Sequence, residues 1–475
     1  MSEPRTSQCG PSLPPGHFDI AVIGAGVVGC AVARRFALEG ARVIVLERAA
    51  DILDGASKGN SAILHTGFDA PPGSLEQQCI EDGYREYLSL HANLGLPILK
   101  TGALVLAWSD QEAEKLNGLI AKARQNGVED VEPLSRQAIA AREPNLSDGH
   151  RGGFLVPREY VIDPWTTPYV YMLQAIRSGA TLSRATEVQG GSFEAKKWRL
   201  QTSRGMVSCS GVINCAGLFG DLLDKDLLGQ ASFDIRPRKG QFVVYDKAAS
   251  RLLSSIILPV PTEATKGIVV CPTIFGNVLV GPTAEEQESR DDASVDSKTL
   301  FALQREGERI LPALRSCLVT ATYSGIRPAT GSKDYCIDFL PEQNYCTVGG
   351  IRSTGLSSAL GIASHVFRLF GDGDQHYTPV ETSTPPDVIP IAERAERDWR
   401  RPGNGGIVCH CEKVTRREIE RALTGPLAAA SLAGLKRRTR ATMGPCQGFF
   451  CSAELSEITA GCFANPLGLS QDGNV

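Results

Sequence analysis

Residues 19–48, DIAVIGAGVVGCAVARRFALEGARVIVLER, change hydrophobic period twice. Ile20–Ile23 is an unbroken apolar run of the kind found in strands covered on both faces. Cys30–Glu39 has helical composition and stops at Gly40, and Arg42–Leu46 returns to a strand pattern that ends on Glu47. The expected element is a complete strand–helix–strand unit. Further on, VINCAGLFGD predicts a buried strand closing in a tight turn, and 238–246 and 276–283 predict strands of a mixed sheet. The glycine-rich segment 349–358 opens an apolar helix, SSALGIASHVFRLF. From 372 to 404 proline, glycine and polar residues dominate, as in a linker wrapped over another surface. Beyond it lies a small unit, 405–475, in which Thr415 and Glu418 predict a capping box and SAELSEITAG predicts a second helix after Cys451.

Composition changes this picture little. The 475 residues suggest about three units. A net charge of −4 gives no electrostatic case for nucleic acid. No apolar run is long enough to cross a membrane as a helix. Residues 1–17 lack the apolar core of a secretory signal and are expected to form a disordered leader. These points favour a cytoplasmic location, with peripheral membrane contact and oligomerisation left open. Fourteen cysteines are many for such a chain, and most stand singly in apolar surroundings (Cys30, Cys215, Cys271).

The chemistry lies at the two ends. Gly24, Gly26 and Gly29 form G-x-G-x-x-G between strand and helix, so backbone can approach a pyrophosphate at the helix N-terminus. Glu47 is placed to accept hydrogen bonds from a ribose diol. The loop GASKGNSAILHTGF (55–68) follows at once and suits a path along a diphosphate and a ring system. At the other end Cys409, Cys411, Cys446 and Cys451 form C-x-C…C-x4-C, with Cys462 outside the pattern. Four thiolates suit zinc or an iron–sulfur cluster, but structural zinc sites favour C-x2-C pairs. Lys436, Arg437, Arg438 and Arg440 precede the second pair, either to offset cluster charge or as a solvated basic turn.

The N-terminal unit, NSAILHTGF…PGSL (60–75), GVINCAGLFGD (211–221), SGIRPATGSKDYCID (324–338) and VGGIRSTGLSSALGIA (348–363) together resemble one family. It is that of FAD-dependent glycerol-3-phosphate dehydrogenases and oxidases and L-2-hydroxyglutarate dehydrogenase, more distantly D-amino-acid oxidase. The C-terminal cysteine pattern resembles the bacterioferritin-associated-ferredoxin-like domain, which carries a [2Fe-2S] cluster. The resemblance implies an α/β fold: a discontinuous, doubly wound FAD-binding domain (18–95, 157–225, 325–371), a mixed-sheet substrate domain (96–156, 226–324), a linker and a helical Fe–S domain.

For FAD it implies contacts from Gly24, Gly26, Gly29, Glu47, Arg48, Ser57, Asn60, Ser61, Val188, Ala216, Gly217, Gly355, Leu356 and Ser357. For catalysis it implies His65 as general base, against a structural or orienting role for the same ring. Arg327 is implied as the fork for the substrate anion, against an interdomain salt bridge. Lys266 is implied at the anion site, against a solvated strand-end lysine, and Ser353 joins the catalytic candidates. The implied reaction is hydride transfer from the carbinol carbon of a small anionic substrate to flavin. Electrons would then leave through the cluster to a protein subunit or a quinone-linked acceptor. An amine substrate and a pure electron-relay subunit stay open.

Overall fold

The structure, a computed structural model, describes residues 13–261, 267–371, 377–380 and 385–467. His17–Ile23 lies at the centre of an eight-stranded sheet, parallel to Val43–Leu46 on one side and Gly205–Asn214 on the other. All four residues Ile20–Ile23 are buried, as a central parallel strand requires. Thr181–Ser183 extends one edge, and the meander Val188–Glu194, Lys197–Thr202 extends the other. Tyr345–Gly349 adds in parallel to the last residues of Gly205–Asn214. The helices Val27–Leu38, Thr166–Arg177 and Gly355–Gly371 bury their apolar sides against one face. Gly220–Leu228 and the Trp198 cluster cover the other.

A second, nine-stranded mixed sheet is centred on Arg236–Tyr245, Val278–Gly281, Val269–Pro272, Ile256–Pro259 and Ala103–Ala107. Val319–Ala329 pairs antiparallel with Arg236–Tyr245 along its length. The boundary expected at 324/325 therefore falls inside this strand, which carries Arg327 as part of the second sheet. Within the described residues after 384, Ile391 and Ala392 are buried in one cluster with Ile274 and Phe275 of the second sheet's surroundings.

The C-terminal unit has its own small core around Val408, Ile419, Leu435 and Leu455. Thr415 and Glu418 form the expected capping box on the helix Arg416–Ala422, and Ser452–Ile458 follows Cys451. The basic run is not the solvated turn its composition allows. Arg437, Arg438 and Arg440 are buried, on or just after the helix Leu432–Thr439, and pair with carboxylates rather than solvent. Arg438 reaches Asp51 at 3.0 Å, Arg437 reaches Asp54 at 3.2 Å, and Arg440 reaches Glu412 at 2.8 Å. Asp51, itself buried, also accepts from Ser431 Oγ at 2.6 Å. Burial would raise the Glu412 carboxyl, but Arg440 beside it outweighs that and holds it below its ordinary value. Asp51 and Asp54 lie between Glu47 and Ser57, so the C-terminal unit is clamped onto the loop that borders the nucleotide site. Among the described residues no helix is long and apolar enough to cross a membrane.

Candidate active site and cluster site

A cavity of about 570 Å³ runs from the first sheet to the second. Its wall includes Gly24, Gly26, Gly29, Glu47, Arg48, Ser57, Asn60, Ser61, Val188, Ala216 and Gly217. The far end is closed by Arg327, Ser353, Gly355 and Leu356. Residues expected to contact cofactor from four separate stretches of chain thus share one space.

The geometry suits a dinucleotide. Gly24 sits at φ +101°, where a Cβ would stand 2.5 Å from Cys215 O. A Cβ on Gly29 would stand 2.0 Å from Gly24 O, so both positions exclude side chains and keep the turn tight. The helix Val27–Leu38 starts at Gly26 without a side-chain cap from that residue, and its first turn opens onto the cavity. Such an N-terminus favours a phosphate. Ser57 Oγ accepts from Val27 N at 3.0 Å, tying the second loop to this turn. Glu47 accepts from Ala25 N at 2.7 Å and Ala49 N at 2.8 Å, and burial pushes its carboxyl above the ordinary value. Each oxygen keeps a lone pair for a ribose hydroxyl. Arg48 stacks on Phe219 at 3.7 Å beside it.

At the other end, the Arg327 guanidinium lies over Gly240 of the neighbouring strand, where a Cβ would stand 2.2 Å from its Nη2. Nη2 donates to Thr283 O at 2.9 Å. Among the described residues no carboxylate pairs with it. Burial, reinforced by Arg238, pushes its pKa down to about 10. Tyr323, on the same strand, donates to Asn60 O at 2.7 Å, which ties this strand to the loop of Ser57 and Asn60. Lys266 lies outside the described residues.

His65 and Ser357 differ from expectation in placement. Neither is part of the cavity wall. Ser357 is turned inward: its hydroxyl accepts from His65 N at 2.8 Å and donates to Ile63 O at 3.2 Å, next to the wall residue Leu356. His65 Nδ1 lies 2.9 Å from Glu159 Oε2. Glu159 is fully buried, and its Oε1 accepts from Thr66 N at 2.6 Å and Thr66 Oγ1 at 2.7 Å. The sequence offered no local sign of Glu159, one acid in a mixed segment. It reaches His65 because Tyr160–Ile162 pairs antiparallel with Ile63–Leu64.

At the C-terminal site the Cys411 thiol is an electrostatic neighbour of the Cys446 thiol, and the Cys451 thiol of the Cys409 thiol. The backbone amide of Phe450, with those of Gly448 and Phe449, holds the Cys446 thiol below its ordinary value. Among the described residues no three such ligands converge on a single metal ion. Two linked thiol pairs with amides aimed at sulfur suit a cluster that spreads its ligands over two irons.

Fold and site together define a dinucleotide-binding protein with an appended four-cysteine domain. Known proteins agree. A family profile described as FAD dependent oxidoreductase matches residues 19–369, and one described as BFD-like [2Fe-2S] binding domain matches residues 407–460. The chain is 31% identical to a glycerol 3-phosphate dehydrogenase of Caloramator mitchellensis, over 93% of this chain and 94% of that one. It is 26% identical to one of the subunits of the anaerobic glycerol-3-phosphate dehydrogenase of Escherichia coli, over 93% of this chain and 87% of that one. In fold it is similar to an FAD-bound L-alpha-glycerophosphate oxidase of Mycoplasma pneumoniae, with a TM-score of 0.73 and 24% identity over 79% of this chain and 99% of that one. The chain belongs to the FAD-dependent oxidoreductase family and carries a C-terminal [2Fe-2S] domain.

Proposed function

We propose that this protein is an FAD-dependent dehydrogenase of glycerol 3-phosphate that delivers electrons to a partner subunit through its [2Fe-2S] domain. The observation that carries the substrate class is Arg327: a guanidinium at the cavity wall, short of solvent and without a carboxylate partner among the described residues. A phosphate monoester would supply the missing countercharge in a bidentate geometry.

Bound FAD would supply a two-electron acceptor for the carbinol C–H bond, and a [2Fe-2S] cluster held by the four cysteines would supply a one-electron outlet. The chain's own residues do the rest. Arg327 holds the anion and so fixes the carbinol carbon relative to the Gly355–Leu356 turn. Imidazole is suited to proton transfer near neutral pH; His65, behind the wall, 16% exposed and tied through Ser357 to the wall residue Leu356, is the group assigned to take the hydroxyl proton as the carbonyl product forms. The helix Gly355–Gly371 starts at this end of the cavity, where its amides favour negative charge. The likeness over nearly the whole chain to two glycerol-3-phosphate dehydrogenases, one of them part of a larger enzyme, supports both substrate and partner.

The test is an anaerobic absorbance titration of the FAD- and iron-loaded protein with glycerol 3-phosphate, L-2-hydroxyglutarate and amino acids. Bleaching of the flavin band by glycerol 3-phosphate is expected. Bleaching only by another compound would reassign the substrate. No bleaching by any of them, while dithionite still reduces both centres, would favour a pure relay subunit.

A further inference from the structure

We propose that Glu159 is the positioning residue for His65: it fixes the imidazole tautomer that can accept a proton and balances the charge once the proton has arrived. The proposal rests on the reading of His65 as the base.

Glu159 is a carboxyl group with no exposure, and among the described residues no Arg or Lys pairs with it. A carboxylate in that position is costly unless hydrogen-bonded and matched by a positive charge. Its hydrogen bonds are in place: Thr66 N and Oγ1 both donate to Oε1, and the His65 ring meets Oε2. Among the described residues the one cationic partner on offer is the imidazole itself. An ionised Glu159 only accepts, and Nδ1 then carries the hydrogen. Nε2 is then left with its lone pair free, the state a general base needs. When Nε2 takes a proton, the imidazolium sits against an acid already desolvated and fixed.

The scaffold is rigid on both sides. Leu64 pairs with Tyr160 and Ile63 with Val161, Ile162 N donates to Ala62 O at 2.9 Å, and His65 N is held by Ser357. The ring therefore has little freedom to leave the acid.

Glu159→Gln is a sharp test, because Thr66 dictates how the amide sits. Two donors point at Oε1, so the amide oxygen faces Thr66 and the NH2 faces Nδ1. His65 is then driven to carry hydrogen on Nε2, the tautomer that cannot accept. Rapid-mixing flavin bleaching by glycerol 3-phosphate should slow about 10²–10⁴-fold at saturation, the range seen when the residue orienting a histidine is altered. Half-saturation and FAD content should stay near wild type. In a His65→Asn background the same change should slow bleaching no further. Nitrogen-15 NMR of the histidine-labelled FAD-loaded protein should place the His65 hydrogen on Nδ1 in the wild type and on Nε2 in the variant.

Full-rate bleaching in Glu159→Gln, with His65→Asn slow, would overturn the role of Glu159 and leave the base reading standing. Full-rate bleaching in His65→Asn would overturn both. A wild-type His65 carrying its hydrogen on Nε2 would overturn the proposal with no variant and no substrate.

Discussion

Replacing Arg327 with alanine separates a substrate-binding guanidinium from a structural one. A pKa pushed down to about 10 means that roughly 3 kcal/mol of desolvation and repulsion from Arg238 stands against the charge, with one backbone carbonyl as the observed acceptor. A structural salt bridge would show the opposite shift. In the free protein, therefore, Arg327→Ala removes an unfavourable charge and should leave the unfolding temperature unchanged or slightly higher. With substrate the sign reverses. Losing one partner of a buried, hydrogen-bonded charge pair costs about 2–5 kcal/mol. Anaerobic flavin reduction by glycerol 3-phosphate should thus lose about 10²–10³-fold in kcat/KM, at about 1.4 kcal/mol per decade. Arg327→Lys keeps the charge but not the fork, and should recover only part of the loss. Dithionite reduction should be unaffected. A variant within threefold of wild type in kcat/KM but melting clearly earlier would refute the assignment and make Arg327 an architectural residue.

Other expectations concern the cofactor, the interdomain clamp and the cluster. Gly29→Ala places a methyl 2.0 Å from Gly24 O and should yield protein largely free of FAD after gel filtration, read from the ratio of visible to ultraviolet absorbance. Asp51→Ala leaves Arg438 and Arg184 without their shared carboxylate and should cost about 3–5 kcal/mol, the scale for breaking a buried ion pair. Limited proteolysis should then release a fragment beginning within the linker sooner than in the wild type. Cys446→Ser should drop bound iron to background while glycerol 3-phosphate still bleaches the flavin, and the electrons should no longer reach a one-electron protein acceptor.

The N-terminal unit was legible because its signals are local. Gly24, Gly26 and Gly29 are bunched at one turn, and the apolar period changes on either side of them. The cysteine pattern and the Thr415–Glu418 capping box are local too. Glu159 was invisible because its meaning depends on a strand pairing that brings residue 159 beside residues 65 and 66. The burial of the basic run was hidden for a related reason. Its composition fits a solvated turn, but a short helix buries Arg437 and Arg438 against Asp51 and Asp54, nearly four hundred residues earlier. Ser357 lay one residue beyond the cavity wall, where the helical turn rotates its hydroxyl inward to Ile63 and His65. Charge and hydroxyl positions in a discontinuous site are set by register between distant strands, and a linear pattern does not carry that register.

The proposed route takes substrate electrons in at the flavin and out through the cluster of the same chain. It is tested most directly by mixing the FAD- and iron-loaded protein anaerobically with glycerol 3-phosphate, freezing samples at rising times, and recording flavin absorbance and electron paramagnetic resonance together. The flavin band should fall first and the signal of a reduced [2Fe-2S] cluster should follow, with Cys446→Ser showing only the first event. A flavin that bleaches while the cluster stays oxidised, although dithionite reduces it, would contradict the relay.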